Sequence, residues 1–181
     1  MNREEALKLV KSKVKNGRLI RHMLATEAVM RALARSLQED EDLWGLAGLV
    51  HDLDYDQTID EPSRHGILGA EWLRDLGVDP RVIQAVKSHP GHVSPRSMMD
   101  WALHAVDPLT GLIVAAALMH PSKSLQGVDE EFILKRFKER RFAAGANREQ
   151  IEQCGRIGLS LAEFVRIALG AMKEIADEIG L

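Results

Sequence analysis

The sequence predicts an all-α chain, and three features predict it. Aromatic residues make up only 4% of the 181 positions. A core must therefore come from Leu, Ile, Val, Ala and Met, which suits packed helices better than a β-sandwich. Apolar residues recur at three- and four-residue spacing through the long segments, and no run alternates in the manner of a half-buried strand. The length suits one domain, residues 1–181, with room for a sizeable core.

The elements follow in order. Asn2 is placed to cap a first helix, with Glu4 and Glu5 in its first turn and Leu7, Val10 and Val14 on its apolar side; Asn16-Gly17 stops it. Arg18 to Leu37 reads as a long amphipathic helix, with His22 on or beside its stripe. Asp40-Glu41-Asp42 opens an apolar helix that runs into His51-Asp52, and a polar loop, 54–62, follows. Ser63 is expected to cap a helix through His65, Leu68, Trp72, Leu73 and Leu76, which Gly77 closes. Asp79-Pro80 opens the next, ending at His89-Pro90-Gly91, and Ser94-Pro95 makes a turn. Ser97 to His120 is helical and strongly apolar, with an interruption expected at Asp107-Pro108. A loop at 121–127, a basic helix from Asp129 to Arg141, a break at 143–147 and one or two closing helices complete the chain.

Composition excludes several classes. Apolar residues at 45%, charged residues at 28% and a formal net charge of -3 describe an ordinary globular chain without a general nucleic-acid footprint. The lone Cys154 rules out an internal disulfide and a cysteine zinc cluster. No apolar segment of signal-peptide type follows Met1, and the run from Leu109 to Met119 is too short to span a bilayer. The expectation is a cytoplasmic protein without a membrane partner.

The chemistry lies in side chains that an apolar helix has no structural reason to carry. Leu43 to Val50 ends in adjacent His51 and Asp52, groups that are costly to bury unless paired or bound to metal. His22, His65, His89 and Asp107 join them at gaps of 29, 14, 24 and 18 residues, each long enough to run down one helix and return. Helical bundles build metal sites from facing helices in this way. Imidazole and carboxylate without thiolate suit iron or manganese, with zinc and magnesium left open. One ion would take His22, His51, Asp52 and Asp107; a second would take Asp52, His65 and His89, with Asp52 bridging. Two close ions acidify a bridging water and polarise a phosphoryl oxygen.

This pattern, His22, His51-Asp52 and Asp107 with further histidines between, resembles the HD-domain superfamily of metal-dependent phosphohydrolases. His65-Gly66-Ile67-Leu68-Gly69-Ala70 and His89 resemble the additional ligands of its dinuclear branches, and 105–111 resembles the segment bearing the final Asp. The resemblance covers about 18–120, the expected metal-binding core, with 121–181 packed on it. Residues 121–125 and 142–151 resemble a bacterial and archaeal group of predicted hydrolases in that superfamily. It implies a helical bundle and a phosphohydrolase acting on a small phosphorylated compound or nucleotide. The nucleophile would be a metal-activated hydroxide, with Asp52 and His51 at the catalytic centre.

The Gly-Tyr-Pro signature of the HD-GYP phosphodiesterases is missing, which argues against cyclic dinucleotides. The Glu that nucleotidases carry after the His-Asp pair is replaced by nearby Asp54 and Asp56, so the general acid or base stays open. Arg21, Arg64 and Lys123 are the substrate-binding candidates, with Arg18 and Lys87 also flanking motif residues. His104 is read as structural or as a partner of Asp107, His92 as bordering the mouth, and His120 as a helix end. Two alternatives stay open: a di-iron oxygenase of the myo-inositol oxygenase type, and a non-catalytic metal-stabilised module that senses a ligand. A dimer is compatible with everything above.

Overall fold

Asn2 opens the fold as its position predicts. In the computed structural model, which describes residues Met1–Leu181, its side chain accepts from Glu5 N–H while the Glu5 carboxylate accepts from Asn2 N–H. This reciprocal cap starts α1 (Arg3–Lys13). Asn16 caps α2 (Gly17–Leu37) and Asp40 caps α3 (Glu41–Val50). The chain contains helices and turns and no strand.

Helices α2 and α3 make the most extensive helix pair in the molecule. Gly48 is what lets them close. A Cβ there would lie 2.9 Å from the Glu27 backbone, so any side chain would push the helices apart. Glu27 is itself buried at that crossing, where Arg3 and Arg31 donate to its carboxylate.

Three expectations for the middle of the chain are corrected. The segment after Asp54 is not purely loop: it holds a one-turn helix, α4 (Tyr55–Thr58), and a 3-10 turn at Pro62–Arg64. Ser63 lies inside that turn and caps nothing. The next helix, α5 (Ile67–Asp75), begins later, after Gly66 at φ +76, and His65 stands extended in front of it. Only glycine fits at 66: a Cβ would meet the Val86 carbonyl at 2.8 Å. Asp79 caps α6 (Pro80–Ser88), with Pro80 in its first turn and His89 at its end. Residues 94–96 form no turn.

Pro108 does not interrupt the next helix. Helix α7 (Met98–Met119) runs through it with one missing N–H. Ser97 caps α7, which lies against α2, α3, α6 and most later elements. By length and composition α7 could cross a membrane, beyond what the Leu109–Met119 run suggested. However, 61% of its most apolar window is buried in the fold, which makes it the central core helix.

The C-terminal part is more finely divided than expected. Helix α8 (Glu130–Lys138) stops before Arg140 and Arg141. After irregular turns come α9 (Arg148–Glu152), a 3-10 stretch at Gln153–Ile157 with Cys154 buried in it, α10 (Leu161–Glu174) and the single turn α11 (Ala176–Ile179). Cluster packing runs unbroken from Ala6 to Ile179, so these helices share one core with the N-terminal ones.

Candidate metal centre

All six predicted ligand residues meet at one place. Asp52, on the turn after α3, sits at the middle, and its two carboxylate oxygens face different groups. Oδ2 lies 3.4 Å from His51 Nε2 and 3.6 Å from His22 Nε2. Oδ1 lies 3.2 Å from His65 Nε2 and 3.3 Å from His89 Nε2. Asp107, projecting from α7, completes the first group: its Oδ1 is 3.0 Å from His22 Nε2 and 3.7 Å from His51 Nε2. Ligand atoms of His22, His51 and Asp107 fall within 4.8 Å of one another, as do those of His51, Asp52 and His89.

The other ring nitrogens fix how the imidazoles point. His51 Nδ1 faces the Gly48 carbonyl at 2.8 Å, and His89 Nδ1 the Val86 carbonyl at 2.6 Å. His65 Nδ1 faces Asp54 Oδ1 at 2.8 Å. His22 Nδ1 faces the Thr110 hydroxyl at 3.1 Å, and that hydroxyl donates to the Asp107 carbonyl. Each partner can only accept, or has already used its hydrogen, so each Nδ1 carries the proton and each Nε2 presents a lone pair inward. Yet the Nε2 atoms of His22 and His51 are 3.1 Å apart, and those of His65 and His89 3.2 Å apart. Two lone pairs at that distance repel, so each pair needs positive charge between its members. Divalent cations fit this donor set, and imidazoles anchored through Nδ1 are the usual way that proteins orient metal-ligating histidine.

Without a metal, protons would fill that need. Burial pushes the His51 imidazole down, but the charge of Asp52 and the hydrogen bond that the ring donates to Asp107 outweigh it and hold the ring well above its ordinary value. His65 is likewise lowered by burial, then lifted to about 9 by hydrogen bonds to Asp52 and Asp54. His89, fully buried, moves down because desolvation wins. The Asp52 and Asp107 carboxyls lie below their ordinary range: burial raises them, and the surrounding imidazoles outweigh it.

Asp54 and Thr110 hold the outer nitrogens of His65 and His22, a role that the sequence did not assign to them. Asp54 stood among the candidate acids, but it is fully buried, accepts from Gly69 N–H at 2.7 Å and grips His65. Asp56 faces away and accepts from the Lys15 backbone. Neither is free to act as general acid. Thr110 carried a legible signal, since it lies three residues after Asp107 on the same helix face. The Asp54–His65 bond crosses a loop and carried none.

The cation candidates are scattered. Arg21 and Arg18 line a cleft of about 460 Å³ that adjoins His22. Arg64 is half exposed and lies 3.8 Å from Glu71. Lys87 is half buried on α6 and makes no ion pair. Lys123 stands beyond the end of α7, where its N–H donates to His120, and about 20 Å of helix separates His120 from Asp107. The structure does not bring it to the centre. His104 donates through Nδ1 to the His89 carbonyl, so it supports a ligand's backbone and not Asp107. His92 bonds the Pro62 carbonyl, and His120 bonds Ser122.

A second cleft, about 350 Å³, opens over His22 and Asp107 and is walled by Ala143, Gly145 and Ala146. The Arg148 guanidinium holds that wall by donating to carbonyls of Phe137, Glu139, Phe142, Ala143 and Ala146.

Comparison with known proteins agrees with this geometry. A family model described as HD domain matches residues 19–118. Ribonuclease Y of a Sulfurovum species is 31% identical over 183 residues, covering 97% of this chain and 36% of that protein. Ribonuclease Y of a Nitratiruptor species is 30% identical over 131 residues, covering 71% of this chain and 25% of that one. An uncharacterized protein of Methanocaldococcus jannaschii is 26% identical over 149 residues, covering 77% of this chain and 86% of its own. The chain thus spans about a third or less of the two ribonuclease Y proteins it resembles. With the HD model covering more than half its length, the chain belongs to the HD-domain family, whose members are generally metal-dependent hydrolases.

Proposed function

We propose that the protein is a metal-dependent phosphohydrolase for a small phosphorylated compound or nucleotide, working at a centre whose residues would hold two divalent ions, with Asp52 shared between the two ligand groups. The observation that carries this reading is the division of the Asp52 carboxylate: one oxygen faces His51 and His22, the other His65 and His89. His22, His51, Asp52 and Asp107 would hold one ion, and Asp52, His65 and His89 the other. The donor set suits iron or manganese, then zinc, then magnesium.

Ions held there supply Lewis acidity at a phosphoryl oxygen and lower the pKa of a nearby water. The chain's own contribution is orientation. Fixed Nδ1 contacts keep the four imidazoles aimed at Asp52, two at each carboxylate oxygen, and Asp52 ties the two groups together. In hydrolysis the water gives up a proton to solvent as its oxygen bonds to phosphorus, the ester P–O bond breaks, and the departing alkoxide takes a proton. Asp54 and Asp56 both accept hydrogen bonds from other parts of the chain, which favours solvent as the source of that proton.

Protein purified without added metal tests the reading. It should carry close to two equivalents of iron or manganese and release phosphate from a phosphate-ester panel under strict anaerobiosis. Asp52→Ala should lose both ions and about a thousand-fold in rate; full activity in that variant would defeat the mechanism. A second reading, cleavage of phosphodiester bonds in RNA, is favoured by the likeness to proteins named ribonuclease Y. A short single-stranded RNA in the same panel separates the two.

A further inference from the structure

The cleft beside His22 has a chemical character of its own. Between α2 and α7 it is walled by Ala25, Val114, Leu118 and Ile179, with Arg18 and Arg21 at its rim. On α7, Asp107, Gly111, Val114 and Leu118 follow one another at four-, three- and four-residue steps. They form one helix face that leads about 16 Å away from the metal centre. On α2, Arg18, His22 and Ala25 do the same. Leu118 is 54% exposed there, an apolar side chain without an apolar cover. Neither the Arg18 nor the Arg21 guanidinium pairs with a carboxylate.

His22 and Gly111 line both this cleft and the smaller one over Asp107, so the two clefts adjoin at these residues. Gly111 is the sill. It sits in regular helix, and nothing lies within 4 Å of where its Cβ would be. A side chain there would be conformationally welcome and would project into the open space that the two clefts border. The lining offers no Ser, Thr, Asn, Gln, Asp or Glu side chain to a hydroxyl-rich group. A volume of about 460 Å³ with apolar walls and a few charged groups fits a small-molecule site.

We propose that this cleft seats the organic half of the substrate, so that the molecule cleaved is a phosphate ester of an apolar alcohol. Arg18 and Arg21, which line the same cleft, meet its phosphate oxygens. This rests on the hydrolase reading above and narrows its substrate class.

Straight-chain alkyl phosphates from ethyl to hexyl test it, because their leaving groups are equally basic and differ only in apolar length. The matching alkylphosphonates, which cannot be hydrolysed, report binding by calorimetry on the manganese-loaded protein. KM and Kd should each fall about fourfold per added CH2. Gly111→Leu should keep its metal content and thermal stability and abolish that chain-length dependence. Arg18→Ala with Arg21→Ala should weaken all chain lengths by a common factor of about ten and leave the slope intact. Turnover with a KM indifferent to chain length, or a slope that survives Gly111→Leu, overturns the assignment while leaving the hydrolase reading standing. Length-dependent phosphonate binding without phosphate release from any ester does the reverse.

Discussion

His22 and Asp107 reach Asp52 from the interiors of two long helices, whereas His65 and His89 reach it from the ends of short elements. The first pair stands 23% and 29% exposed beside open clefts; the second stands 15% and 0% exposed. Their supports differ accordingly. The helix-borne half is aimed by backbone regularity, with Thr110 as one added contact. The end-borne half relies on buried polar bonds: Asp54 to His65 and to Gly69 N–H, and His89 to the Val86 carbonyl. The close pass of Gly66 over α6 completes its support. Regular helices position a ligand through packing spread over many residues. Chain ends need specific hydrogen bonds, each of which a single substitution can remove.

The sharpest way to break that comparison is to remove one ligand from each half. His22→Ala and His65→Ala should each lower phosphate release about a thousand-fold while keeping one equivalent of metal, as read by elemental analysis. Loss of all metal in both variants would mean that the halves are one inseparable site.

Next in size is the response of chelator-stripped protein to pH. His65 sits at about 9 in the fold against 6.5 ordinarily, so it stabilises fully below 6.5 and that stability is lost as pH rises through 9. Denaturant unfolding should show a loss on the order of 3 kcal/mol across that window. His51, also raised, acts in the same direction, while lowered His89 matters only below the window. His65→Ala should flatten the dependence; an unchanged slope would detach His65 from it.

Smaller still are the orienting groups. Asp54→Asn should weaken metal binding 10- to 100-fold, and Thr110→Val no more than about tenfold, by competition with a chromogenic chelator. The reverse ranking would show that the helix-borne half depends on its hydrogen bond as much as the other does.

Legibility in the sequence followed the same division. The cap at Asn2, the helix starts at Asp40, Asp79-Pro80 and Ser97, the stripe of α2 and the apolar run of α3 were readable, because capping and helical spacing are set within a few residues. The Ser63 cap failed because His65 is drawn out of the helix by Asp54, a partner eleven positions away. The expected break at Asp107-Pro108 failed because α7 is packed on most sides, and that packing outweighs one absent N–H. Lys123 looked close to the motif in sequence and ends at the far end of α7.

By itself the sequence determined the all-α class, most helix limits and which six side chains were candidates to meet, since these depend on local periodicity and on polar groups stranded in apolar helices. Only the tertiary structure decided that the two oxygens of Asp52 divide the imidazoles between them, that Asp54 is an anchor, and that an apolar cleft adjoins His22. Each of those depends on where the chain returns after a loop, and the direction of a loop is set by the packing of everything it connects.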